Sequence, residues 1–177
     1  RYIDEHGIAH RLAAEDACQL SNRYPSDKYL LTAEQCSEAL LAQVFSPRIA
    51  APEVFRQFVY AWLTGNGDLH AKNLSIVENR KGQYELSPIY DIPSTAPYGD
   101  KSMALLLSGK KDGLSRRRFL TFAHNIGVSS RVAEHVLEEV LTGTEHLAEQ
   151  AREELPFDSH RMKELLKVLK NRRRSLL

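Results

Sequence analysis

The strongest constraint in this chain is an abrupt change of period near its centre. Val54, Phe55, Phe58, Val59, Trp62 and Leu63 form an apolar stripe at helical spacing, and Gly65 follows as a terminator. Immediately beyond, Leu74-Ser75-Ile76-Val77 and Tyr84-Glu85-Leu86 are short strand-like runs flanking a polar, glycine-containing segment from Glu78 to Gln83. That arrangement predicts a β-hairpin. A long apolar helix must therefore hand over, through the polar loop 65–73, to a hairpin that packs beside it. Few architectures accommodate that.

The flanking segments are helical in pattern. Leu12 to Asn22 reads as a short helix, with apolar residues at Leu12, Ala13, Ala17 and Leu20. Thr32 followed by Gln35 is a capping-box pattern and predicts a helix from Ala33 to Phe45, closed by Ser46-Pro47. Pro52 fits the first turn of the third, apolar helix. Pro88, Pro93, Pro97 and Gly99 keep the stretch after the hairpin irregular. From Ser115 onward three helices are expected, with Ser115 and Asp158 as caps and Gly127 as a break. The fold class is mainly α (α+β), one domain over residues 1–177, with a single hairpin between helices.

Bulk properties exclude several function classes. A formal net charge of +1 provides no global field toward nucleic acid or anionic lipid. No apolar run approaches membrane-spanning length, and the start does not resemble a secretory signal. Cys18 and Cys36 form no metal-ligand cluster, and are read as reduced, partly buried thiols of a cytoplasmic protein. Arg1-Tyr2 opens without cap or turn, as in a chain entered partway through a structure.

The chemistry is concentrated in Gly65-Asn66-Gly67-Asp68-Leu69-His70-Ala71-Lys72-Asn73 and in Pro88-Ile89-Tyr90-Asp91. Asp68 and Asn73 are five apart, the spacing of the Asp and Asn in the kinase catalytic loop HRDxxxxN. One short loop turning back on itself can aim a carboxylate at an attacking hydroxyl and an amide oxygen at a magnesium ion. Magnesium takes hard oxygen ligands and usually combines one or two carboxylates with phosphate oxygens and waters. Asp91, at the far end of the hairpin, is the second carboxylate, in the position of the kinase DFG aspartate although Phe-Gly is absent. Each of these residues alone is an ordinary turn former. Their order and their placement on a helix–loop–hairpin unit favour function.

The motif Asn66-Gly67-Asp68-Leu69-His70-Ala71-Lys72-Asn73 resembles the N-x-D-x-H-x-K-N motif of HipA-type serine/threonine kinases, the toxins of bacterial toxin–antitoxin pairs. Leu86-Ser87-Pro88-Ile89-Tyr90-Asp91 is similar to that family's L-x-P-x-Y-D. Arg11-Leu12, Glu15-Asp16 and Cys18-Gln19 resemble its RL-x-x-ED-x-CQ element, and Lys28-Tyr29 a following KY. Arg1-Tyr2 is similar to an R-[FY] start, and Met103-Ala104-Leu105 with Gly109-Lys110 to a downstream MAL…GK stretch. Two departures are Ala14, where the family often has Gln, and the missing acidic, glycine-rich segment after KY.

The resemblance implies a protein-kinase-like C-terminal lobe, a helical bundle with one catalytic hairpin. It implies that Asp68 is the catalytic base, that Asn73 and Asp91 hold Mg²⁺ and thereby ATP, and that His70 and Lys72 stand on motif positions. His70 is read as a hydrogen-bonding orienter of the loop. Lys72 has two readings, a contact to phosphate or a solvated lysine. The resemblance further implies a protein substrate, typically an aminoacyl-tRNA synthetase, a HipB-type antitoxin through which DNA is contacted, and growth arrest as the outcome. Neither a glycine-rich phosphate loop nor a VAIK-like strand occurs here, so the nucleotide lobe is expected before Arg1 and the isolated chain to turn over little.

Three competing functions remain open at this stage. A small-molecule phosphotransferase would carry H-G-D-x-x-x-x-N where this chain has Asn66-Gly67-Asp68. A catalytically silent module supporting antitoxin and operator contact is the second, and a metal-dependent hydrolase built on Asp68, His70 and Asp91 the third. The basic clusters Lys110-Lys111, Arg116–Arg118 and Arg172–Arg174 are read as a solvated helix face or frayed terminus in preference to a DNA surface. Trp62 is read as core. His124, His135, His146 and His160 lack metal-ligand spacing.

Overall fold

The computed structural model describes residues 2–3 and 5–177. Arg1 of the expected start motif lies outside the described residues; its neighbour Tyr2 opens β1 (Tyr2–Ile3), which pairs antiparallel with β2 (Ala9–His10).

The expected helix over 12–22 is divided. Its first part is β3 (Ala14–Asp16), and only Ala17–Leu20 is helical, as α1. β3 lies antiparallel along β4 (Ser75–Glu78), with Glu15 opposite Ile76, and β4 pairs in turn with β5 (Tyr84–Leu86). The expected hairpin therefore supplies the central strand and one edge of a three-stranded sheet of order β3-β4-β5. The free edge of β4 presents unpaired peptide groups, and a partner sixty residues away in sequence satisfies them, which local periodicity does not reveal. Asp16 ends the strand and caps α1, its side chain accepting from Gln19 N while Gln19 reaches back to the Asp16 amide.

The Thr32–Gln35 capping box is present, and α2 runs Ala33–Leu41. It ends one turn earlier than expected, and Ser46-Pro47 starts the next helix instead of closing this one. Pro47 is the first residue of α3 (Pro47–Thr64), where its missing N–H costs nothing. Pro52 thus sits inside the helix; the carbonyl it leaves without a donor belongs to Arg48, an exposed residue.

α3 is the axis of the core. Phe55, Phe58, Val54 and Val59 are fully buried, and Trp62 nearly so. Phe58 meets Phe122 edge-to-face with centroids 5.0 Å apart, and Phe55 lies 6.4 Å from Phe119. Those partners lie on α4 (Arg116–Asn125), which Gly127, at φ +82°, separates from α5 (Ser130–Gly143). The chain ends with α6 (Leu147–Glu154) and α7 (Ser159–Leu176), so the segment after Ser115 holds four helices and not three. Asp158 caps α7 by accepting from the amides of His160 and Arg161. Ser115 stands at the N-cap of α4 without a capping side-chain bond.

Parts of the basic clusters are structural staples. Arg172 is buried, donates to Trp62 O at 2.9 Å and Lys101 O at 2.5 Å, and stacks on the Trp62 ring with its guanidinium carbon 4.2 Å from the centroid. Arg116 reaches Leu176 O and both Glu134 and Glu138; Arg173 reaches Leu141 O. The solvated reading therefore fails for Arg172, because a planar guanidinium can satisfy several carbonyls at once inside a core. Cys18 and Cys36 are buried free thiols, and burial pushes Cys36 up to about 12. Among the described residues no helix is long and apolar enough to cross a membrane.

Candidate active site

The loop begins where α3 is forced to stop. Gly65 adopts φ +75°, and the amides of Gly65 and Asn66 close back on Trp62 O and Ala61 O. This is a Schellman ending, which turns the chain out of the helix axis. Asn66 is fully buried, and its Oδ1 accepts the Asp68 amide at 2.7 Å. Gly67 has no room for a side chain: a Cβ there would stand 2.4 Å from Thr95 Oγ1 and 2.7 Å from Ser102 O. Thr95 Oγ1 itself accepts the Gly67 amide at 2.9 Å. The loop is thus bound to the segment beyond the hairpin.

Asp68 and Asn73 are joined through the backbone. Asp68 O accepts both the His70 amide at 2.8 Å and Asn73 Nδ2 at 3.1 Å. The same Nδ2 donates to Asp91 Oδ2 at 3.2 Å. Because a carbonyl oxygen only accepts, this contact fixes which end of the amide is nitrogen. Asn73 Oδ1 then accepts no hydrogen bond among the described residues. Asn73 is buried, Asp68 half-buried and Asp91 exposed, so the three span the site from floor to mouth.

Asp91 is held in the left-handed region at φ +53°, which aspartate tolerates better than most residues. The preceding Tyr90 anchors it: its hydroxyl donates to Lys72 O at 2.7 Å and meets Ser75 Oγ at 2.5 Å. That ties the strand leaving the sheet to the loop entering it. The structure thereby brings together Asp68, Asn73 and Asp91.

His70 and Lys72 are turned to other partners. His70 is buried, and its Nε2 lies 2.9 Å from Lys28 Nζ, so that nitrogen accepts and Nδ1, which has no partner among the described residues, carries the proton. Burial, and then the Lys28 ammonium, push its pKa down and keep it neutral. The position suits an orienter of the loop. Lys72 Nζ pairs with Asp16 Oδ2 at 2.7 Å, which raises the lysine's pKa. Two neighbours were not singled out from sequence as site residues, Asp16 and Tyr29, whose hydroxyl donates to Asp68 Oδ1 at 2.7 Å. The available signal was their place in the ED and KY elements.

The donor set fits a nucleotide-borne magnesium. The amide oxygen of Asn73, without a hydrogen bond among the described residues, and an adjacent, exposed carboxylate on Asp91 are hard oxygen ligands, too few for an all-protein cage and suited to an ion that brings phosphate and water. The hydrolase alternative built on Asp68, His70 and Asp91 is disfavoured because His70 Nε2 faces the Lys28 ammonium at 2.9 Å, where a metal ligand would face the metal ion.

Comparisons with known proteins bear on this arrangement. The chain is 32% identical over 136 residues to Y4mE of Sinorhizobium fredii, a kinase by name only, covering 72% of this chain and 32% of that protein. A Haemophilus influenzae protein of similar designation is 26% identical over 145 residues, covering 70% of this chain and 42% of that one. The chain thus spans about a third to two-fifths of the length of the curated relatives named here. Among solved structures, HipA from the Shewanella oneidensis MR-1 complex of HipA, HipB and operator DNA superposes with a TM-score of 0.73 at 19% identity, over 97% of this chain and 46% of that one. The Helicobacter pylori proinflammatory kinase CtkA matches with a TM-score of 0.54 at 16% identity, over 94% and 69%. At those identities the two structures speak for the fold, which is kinase-like. The model of the HipA-like C-terminal domain matches residues 1–148, and the chain belongs to that family.

Proposed function

We propose that the full-length protein is a HipA-type kinase that transfers the γ-phosphoryl group of ATP to a serine or threonine hydroxyl of a protein, and that this chain supplies the base and the metal ligands. The observation that carries the reading is the double donation of Asn73 Nδ2, to Asp68 O and to Asp91 Oδ2. It holds base and carboxylate in one frame and leaves Oδ1 for a cation.

In this reading Asp68 accepts the proton of the attacking hydroxyl. Asn73 and Asp91 would hold Mg²⁺, which supplies charge compensation for the phosphates when bound. His70, neutral and tied to Lys28, orients the loop, and Lys72 braces it against Asp16. Electrostatic positioning of this kind is most of what phosphoryl transfer requires of a protein. The kinship with HipA from a HipA–HipB–DNA complex supports an antitoxin of HipB type as partner.

The test is ATP-dependent labelling of a panel of aminoacyl-tRNA synthetases and of whole lysate by the full-length protein, as wild type, Asp68→Asn and Asp91→Asn. Loss of at least about a hundredfold in transfer by both variants, with circular dichroism unchanged, is expected. Equal labelling by wild type and variants would overturn the assignment and favour a silent module that acts through antitoxin contact.

A further inference from the structure

Within the chain, Asp68 uses only one of its two carboxylate oxygens. Oδ1 accepts the Tyr29 hydroxyl at 2.7 Å, whereas Oδ2 accepts no hydrogen bond among the described residues. Tyr29 stands 39 positions earlier, between a short 3₁₀ turn and α2, and its delivery to Asp68 is over-determined. The edge of its ring packs on His70 with centroids 5.1 Å apart at 78°. The Lys28 ammonium lies 4.9 Å from the Tyr29 centroid and 2.9 Å from His70 Nε2. Lys28 O accepts the Ala71 amide at 3.1 Å. Residues 28 and 29 therefore grip the loop at 68, 70 and 71. Donation to Asp68 pushes the phenol up to about 12, so Tyr29 keeps its proton at neutral pH and acts toward Asp68 as a donor only.

We propose that Tyr29 is a positioning residue for the transfer reaction: its hydroxyl occupies Oδ1 of Asp68 and so presents Oδ2 to the acceptor hydroxyl. This rests on the kinase reading above. A carboxylate free to turn about its terminal bond would present either oxygen in a range of directions, and small errors of placement are costly when the reacting groups must be near attack distance. In the transfer, the acceptor oxygen bonds to the γ-phosphorus while the bond to the departing ADP oxygen breaks. The acceptor's proton goes to Oδ2, and Tyr29 retains its own.

The experiment uses the full-length protein, MgATP, and the best-labelled aminoacyl-tRNA synthetase of the panel. Tyr29→Phe removes one oxygen atom and keeps the ring on His70. It is expected to lower kcat by about tenfold or more, with KM for MgATP and the thermal midpoint unchanged. A merely structural role would move the midpoint and leave no such split. A second readout needs no turnover: in ring-labelled protein followed by NMR, the Tyr29 phenol ionises above its ordinary pH in wild type and at clearly lower pH in Asp68→Asn, where the accepting carboxylate is gone.

Unchanged kcat in Tyr29→Phe, with transfer abolished in Asp68→Asn, overturns this proposal and leaves the kinase reading standing. A Tyr29 phenol that ionises at the ordinary pH in wild type overturns it whatever the kinetics. No transfer by wild type overturns both.

Discussion

The ammonium of Lys72 lies 2.7 Å from Oδ2 of Asp16, a residue 56 positions earlier that is at once the last of β3 and the N-cap of α1. One carboxylate thus ends a strand, caps a helix through Oδ1 and braces the candidate catalytic loop through Oδ2. The two jobs differ in strength. The cap is shielded within the fold, while the Lys72 side chain is 37% exposed and its ion pair is weakened by solvent. Asp16→Ala should therefore lower stability by about 1–2 kcal/mol, mostly through the lost cap. Lys72→Ala should cost clearly less. Urea denaturation of both variants compares them directly, and equal losses would assign the cost to the ion pair.

Gly67→Ala should be harmful for steric reasons alone. The added methyl would meet Thr95 Oγ1 at 2.4 Å, Ser102 O at 2.7 Å and Asp100 Oδ2 at 3.1 Å, and backbone cannot move aside as a flexible side chain can. Overpacking of this kind costs about 1–3 kcal/mol. The loop that carries Asp68 must shift, so phosphoryl transfer by the full-length protein should fall along with the thermal midpoint. A variant with wild-type stability and transfer rate would refute the close packing.

Folding stability should fall in mild acid because of His70. Desolvation, and then Lys28, lower its pKa below the ordinary histidine value near 6.5, outweighing the opposing influence of Asp68 and Asp91. The unfolded chain therefore binds the proton more readily than the folded one. Its contribution is complete above the unfolded pKa and is lost as pH falls toward the folded one. Measured between pH 8 and pH 5, the slope of unfolding free energy against pH should be shallower in His70→Gln than in wild type. Parallel slopes would exclude His70 as the source.

Arg172→Met should be among the most damaging substitutions far from the site. It removes two donations from a buried cation, to Trp62 O and Lys101 O, along with the stacking on Trp62. Hydrogen bonds from charged groups contribute about 1.5–3 kcal/mol each, and two carbonyls are left without donors. A loss of at least about 3 kcal/mol in chemical denaturation is expected. A loss under about 1 kcal/mol would mean that water replaces the guanidinium.

Much of the site could be read along the chain because its parts are local. The stripe from Val54 to Leu63, the stop at Gly65 and the five-residue step from Asp68 to Asn73 are set by helix period and turn chemistry, and all stand where that reading puts them. The capping box at Thr32 and the cap at Asp158 are legible for the same reason. Pro47 opens α3 where its sequence context equally suits the end of α2, because a proline can follow one helix or open the next and only packing distinguishes the two. The split of 12–22 into β3 and α1 is invisible to local periodicity because the partner of β3 is β4, sixty residues on.

The sequence by itself determined the central helix–loop–hairpin unit and the identity of Asp68, Asn73 and Asp91 as candidates. Those properties depend on backbone preferences and on spacing within about two dozen residues. Only the tertiary structure decided what each polar group touches. It turned Lys72 onto Asp16, His70 onto Lys28, the Tyr29 hydroxyl onto Asp68 and Arg172 into the core. A hydrogen bond is set by the last ångström between groups that chain spacing leaves tens of residues apart, and the pairing of β3 with β4 and the packing of α7 on α3 are what bring Asp16 to Lys72 and Arg172 to Trp62.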